Sequence, residues 1–89
     1  MGEHFFLYDD TVATKTRFVS FMGENVRHDL ALVYSDHYYN KVLVLDIQRN
    51  KFAIIGPDDL EELGYIEAAF NVDEETANEL REFLYEAVI

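Results

Sequence analysis

Three histidines and a large surplus of carboxylates are the side chains of this sequence with the most obvious chemistry. His28 lies in Arg27-His28-Asp29, a base beside an acid. If that segment is a strand, successive side chains point to opposite faces, so His28 and Asp29 do not pair directly. His37 lies in Asp36-His37-Tyr38-Tyr39, which reads as the connection at a hairpin tip, a common place for binding residues. Neither histidine stands in an HxH, HxxxH or calcium-loop spacing. A metal site would have to be assembled from distant residues such as His4, His28 and Asp46, and the plainer expectation is surface histidines. Asp9-Asp10 and Asp58-Asp59 are paired carboxylates, the raw material of acid–base catalysis. Asp58-Asp59 already has a structural use after Pro57, where anions meet the positive end of a helix dipole. Ser20 and Ser35 are outside any G-x-S-x-G motif. Gly2, Gly23, Gly56 and Gly64 are too scattered for a phosphate-binding loop, and there is no Cys. The expectation is a non-catalytic chain with no cofactor and no metal.

The carboxylates are unevenly spread. Residues 1–55 hold seven acids and six bases, whereas residues 56–89 hold eleven acids against Arg81 alone, within a net charge of −11. On the last predicted helix Glu75 and Glu79 are four apart, Glu79 and Glu82 three, and Glu82 and Glu86 four. Such like-charge neighbours repel. A solvated face kept for solubility explains them; so does a docking surface for a basic protein segment. The segment IEAAFNVDEETANEL has the outline of a helix–turn–helix, but Asp73, Glu74, Glu75, Glu79 and Glu82 would each repel a phosphate. DNA affinity comes mostly from cations. A plain helical hairpin is expected, with no nucleic acid as partner.

The elements that position these residues follow from periodicity. KTRFVSFM (15–22), DLALVY (29–34), KVLVLDI (41–47) and KFAII (51–55) read as strands, and Phe5–Tyr8 offers a further edge strand. The short connections between them require antiparallel neighbours. Asn50 suits a turn that needs positive φ. Pro57-Asp58-Asp59 opens a first helix carrying Leu60 and Leu63, and Gly64 stops it. YIEAAF (65–70) fits either a strand or a helix; helix is preferred, because Glu and Ala are poor strand formers. Ala77, Leu80, Leu84, Ala87 and Val88, with Phe83 beside them, form the apolar stripe of the last helix, capped by Asn71 or Asp73. Tyr34, Tyr38 and Tyr39, with Phe18 and Phe21, are expected to crowd one sheet face. Helices cover only one face, so an exposed apolar face would be covered by a homodimer or another partner; a single core absorbing all these rings is the other outcome.

At 89 residues the chain is one domain over 1–89, mainly β over 1–55 and mainly α over 56–89. A domain of this size buries roughly 60–65% of its unfolded surface. A thin core without disulfides fits a reducing compartment. MGEHFF has neither a cationic start nor a long apolar run, and no membrane-spanning stretch follows, so a cytoplasmic protein with no membrane partner is expected. FFLYDDTVATKTRFVSFMG together with IIGPDDLEELGYIE resembles a family of small, acidic, uncharacterised proteins from Gram-positive bacteria, a domain of unknown function. That resemblance implies a cytoplasmic setting and assigns no activity, cofactor or site residue. The reading is an α+β fold: an antiparallel β-meander of three to five strands followed by two or three helices packed on one face. The expected role is an interaction or regulatory module, with Tyr34, His37, Tyr38, Tyr39, Glu75, Glu79, Glu82 and Glu86 as contact residues. Two other readings stay open. One is a small enzyme or metal-binding protein using His28, His37 and nearby carboxylates. The other is a helix–turn–helix relative without DNA binding, or an acidic nucleic-acid mimic.

Overall fold

Alternation of side chains along each strand decides which residues become core. In a computed structural model, which describes residues 5–88, four strands form one antiparallel sheet in the order β1-β2-β3-β4: β1 Lys15–Met22, β2 Arg27–Tyr34, β3 Val42–Asp46 and β4 Lys51–Ile55. Three helices follow, α1 Pro57–Glu61, α2 Tyr65–Phe70 and α3 Glu74–Val88. This is the expected α+β meander with C-terminal helices. Cross-strand pairing places Val19, Leu30 and Asp46 in one row, and Arg17, Leu32, Val44 and Ala53 in the next. Tyr34, Val42 and Ile55 form a third row of that face, and Phe21 with His28 a fourth.

The helices cover this face alone. Leu30, Leu32, Val42, Val44 and Ile55 from the sheet close on Leu60, Ile66, Phe70, Ala77, Leu80 and Leu84 from the helices, and all are buried. The stripe expected on α3 is the stripe observed, with Phe83, Ala87 and Val88 packed at its margin. Helix ends are set by local chemistry. Asp59 Oδ2 accepts from Gly56 N at 2.8 Å and from Lys41 Nζ at 3.1 Å, fixing the start of α1 to β3's lead-in. Gly64 has φ +80° and begins α2, and Asn71, at φ +54°, ends it. Of the two candidate caps for α3, Asp73 does the work, its Oδ1 accepting from Thr76 N at 2.9 Å. Residues 65–70 are helical, as preferred.

Three expectations are corrected. Phe5–Tyr8 is not a strand; its backbone is irregular and it runs exposed ahead of β1. Leu63 is not in the first helix, which ends at Glu61 with the chain extended at Glu62, and it stands 99% exposed. His28 is not a surface histidine; it is completely buried.

Candidate functional site

The uncovered face of the sheet follows from the same alternation. Residues of opposite parity to the core positions are Thr16, Phe18, Ser20 and Met22 on β1 and Arg27, Asp29, Ala31 and Val33 on β2. On the remaining strands they are Leu43 and Leu45 on β3 and Phe52 and Ile54 on β4. Pairing puts Phe18, Ala31, Leu45 and Phe52 in one row, and Thr16, Val33, Leu43 and Ile54 in the next. On the middle strands Ala31 is buried and Val33, Leu43 and Leu45 are half-buried, but the large side chains of the two outer strands stand in water. Phe18 is 75% exposed, Phe52 69%, Met22 70% and Ile54 41%, with Ile47 at 55% just beyond β3. The charges on this face are Arg27 and Asp29, paired at 3.1 Å at one end. Asp29 also accepts from Ser20 and Gln48, and its carboxyl is held below the usual aspartate value, first by the Ser20 hydroxyl. The rest of the face is neutral and mostly apolar. A monomer rarely leaves so large an apolar surface in water without a use for it.

The buried polar network lies on the opposite face. His28 Nε2 is 2.8 Å from Glu79 Oε1, and its Nδ1 is 3.5 Å from Arg49 Nη1. Arg49 only donates, so Nδ1 accepts and Nε2 carries the hydrogen that Glu79 takes. Arg49 Nη1 also donates to the buried Asp46 Oδ2 at 2.6 Å. Glu79 Oε2 accepts from Glu24 N at 2.8 Å, and Phe21 stacks on the His28 ring with centroids 4.8 Å apart. The Glu24 amide and then His28 hold the Glu79 carboxyl below the usual glutamate value. A Glu–His pair with a second carboxylate behind it has the parts of an acid–base relay. Yet a general base must reach its substrate, and His28 has no exposed surface. The network seals one end of the core and ties the β1–β2 turn to α3.

The contact residues proposed from sequence are dispersed. Tyr34 is on the helix side of the sheet, its hydroxyl donating to Ala87 O at 3.1 Å. His37 and Tyr38 form a 3₁₀ turn between β2 and β3, followed by Tyr39 at φ +51°. His37 is exposed, 3.0 Å from the Tyr8 hydroxyl through Nδ1. Six residues of β2 separate it from His28, about 20 Å at ~3.3 Å per residue, so the two histidines do not share a site. His4 lies outside the described residues. Among the described residues, no group of three or more His, Cys, Asp or Glu side chains is placed to hold a metal ion. Glu75 accepts from Asn25 Nδ2 at 3.1 Å, while Glu82 and Glu86 remain exposed and edge a shallow groove of about 340 Å³ with Phe21, Met22, Gly23, Glu79 and Phe83. A wider, open groove of about 760 Å³ runs along the other end of the sheet, past Lys15, Tyr34, Asn40 and Lys41. Lys41 there is already paired with Asp59.

Sequence reasoning foresaw an apolar sheet face left by the helices and named Phe18 for it, but grouped with it Phe21 and Tyr34, which face the helices. Phe18 and Phe21 are three apart, so in a strand they point to opposite sides. The signal available was parity: in KFAII, Phe52 and Ile54 share one face and Ala53 and Ile55 the other.

No helix among the described residues is long and apolar enough to cross a membrane. No curated protein matches the chain. A family model described as SAV0927-like, covering uncharacterised proteins, matches residues 7–86. That span takes in the whole sheet and nearly all of the helical layer, and on it the chain belongs to the SAV0927-like family.

Proposed function

We propose that this chain is a non-catalytic interaction module of the bacterial cytosol, and that its contact surface is the uncovered sheet face rather than the tyrosine turn. One observation carries the reading: Phe18, Met22, Phe52 and Ile54 stand exposed on a neutral surface of a molecule with net charge −11. Solubility alone would favour polar residues at these outward positions. Interface cores are depleted in charge and enriched in Phe and Met, which is the composition of this face. The acidic helices supply repulsion toward nucleic acids and membranes, both anionic, and so restrict partners to proteins. The absence of Cys and the family resemblance support the cytosolic setting.

In-cell cross-linking tests this. Wild type is compared with a Phe18→Glu/Phe52→Glu double variant, with circular dichroism and thermal unfolding verifying the fold of each. The wild-type chain is expected to give discrete cross-linked species that disappear in the double variant. Identical cross-links in both would refute the sheet face as the contact surface.

A further inference from the structure

Along one side of the sheet an open strand edge runs beside a helix flank that the core does not use. Among the described residues β1 ends the strand order, and it pairs with β2 in unbroken register over its whole length. Alternate residues of an edge strand turn their N–H and C=O groups outward, where another extended chain can take them. Lys15 and Arg17 guard the first half of this edge with charge, but Val19, Ser20, Phe21 and Met22 have neither charge nor Pro nor bulge. Beside that second half runs α3. Glu79, Glu82, Phe83 and Glu86 fall at i, i+3, i+4 and i+7, one stripe along the helix, and with Phe21, Met22 and Gly23 they line the groove of about 340 Å³. Glu79 is committed to His28 and the Glu24 amide. Among the described residues Glu82 and Glu86 take part in no ion pair, and the base between them, Arg81, is turned to Asn78 and Glu67. The aromatic ring of the stripe already carries a cation: Arg17 Cζ lies 5.5 Å from the Phe83 centroid, within cation–π range.

We propose that this edge and this stripe together take an extended segment of a foreign protein, with Lys or Arg at alternate positions and apolar residues between them. A strand added about 4.8 Å beyond β1 alternates its side chains between the two faces of the sheet. On the helix side they continue the row of Arg17, Val19 and Phe21 and come against the carboxylates of Glu82 and Glu86, which favours bases. On the other side they continue the row of Phe18 and Met22, both well exposed, which favours apolar groups. Main-chain hydrogen bonds give such strand addition its affinity, and the alternating side chains give it specificity. An acidic segment would be repelled by the same two carboxylates, whereas the net charge of −11 draws a cationic one from a distance. This surface is separate from the contact face proposed above, because it needs nothing from Phe52 or Ile54 on the far strand.

Fluorescence anisotropy on the full chain tests this with a labelled peptide of about ten residues in which Lys alternates with Val and Thr. Three altered peptides accompany it. One has Glu in place of every Lys; the other two keep the charge but are backbone N-methylated, either at every Lys or at every residue between. The Lys peptide is expected to bind with a dissociation constant on the order of tens of micromolar at low salt, and several-fold more weakly as salt is raised. The Glu peptide should not bind. Only one of the two N-methylated peptides should lose affinity, about ten-fold, because a strand turns one alternate set of its N–H groups toward β1. Glu82→Gln/Glu86→Gln should weaken the Lys peptide about ten-fold. Glu62→Gln/Glu74→Gln makes the same charge change on exposed residues outside the groove and should bind it like wild type. A Lys peptide that fails to bind overturns the inference. Equal affinity of the two N-methylated peptides overturns strand addition, and equal loss in the two glutamine variants overturns the assignment to this groove.

Discussion

Glu79 fastens three parts of the molecule with one carboxylate: the Glu24 amide in the β1–β2 turn, the buried His28 on β2 and its own helix α3. Gly23 permits this approach, because a Cβ there would sit 1.9 Å from Glu79 Oε1. Gly23→Ala is therefore expected to displace the carboxylate, and Glu79→Ala to leave the His28 Nε2–H buried without an acceptor. Both should lower the thermal midpoint by several degrees, with Glu79→Gln, which keeps an acceptor oxygen, falling less. The pH dependence has a definite sign. The carboxyls of Glu79, Asp29 and Asp73 are all depressed in the folded protein, chiefly by the Glu24 amide, the Ser20 hydroxyl and the Thr76 hydroxyl respectively. A group with a depressed folded value adds stability above its unfolded value and loses it as pH falls through the folded one. Unfolding midpoints should therefore drop on acidification below about pH 5, and Glu79→Gln should flatten part of that limb; an acid limb identical to wild type would contradict the role given to Glu79. None of this was legible in the sequence. The strand alternation that correctly separated His28 from Asp29 also fixed which side each faced, but only the fold decides which side becomes interior. His28 was thus read as a surface residue although its true partner lies 51 positions away.

At the scale of elements, local chemistry reached furthest where it was strongest. KTRFVSFM and KFAII are strands at the bounds read from sequence, and Asn50 takes its left-handed turn at φ +57°. Phe5–Tyr8 failed as a strand because propensity needs a ladder to act on, and among the described residues the sheet runs β1-β2-β3-β4 with β1 at its edge. Leu63 falls outside the first helix because α1 stops at Glu61, two residues before the end that Gly64 implied. The helix joints give a clean prediction. Gly64 has φ +80° and open space around its Cβ position, so Gly64→Ala is resisted by backbone conformation alone and should cost about 1 kcal/mol. Asn71→Val, a β-branched residue forced to φ +54°, should cost about 1–2 kcal/mol, whereas Asn71→Gly should be near neutral. Chemical denaturation with an unchanged m-value checks all three.

At the scale of the whole molecule the sheet divides two kinds of apolar residue. Phe70 is buried under the helices and Phe52 stands on the uncovered face. Phe70→Ala should cost about 3–5 kcal/mol in the free chain, while Phe52→Ala at low protein concentration should stay within about 0.5 kcal/mol. Equal losses would mean that the second face is part of one continuous core. The α+β layering was legible because each strand and helix advertises its period, but the identity of the open face was not. Choosing it needed the parity of four strands in mutual register, which no single segment carries. The most direct test that this face stands open to a partner uses the absence of Trp from the chain. Phe52→Trp places a unique fluorophore there, and its emission in dilute solution is compared with that of Phe70→Trp, which sits under the helices. Phe52→Trp is expected to give a water-like spectrum and Phe70→Trp a blue-shifted one; a blue-shifted Phe52→Trp spectrum at the same dilution would contradict the account.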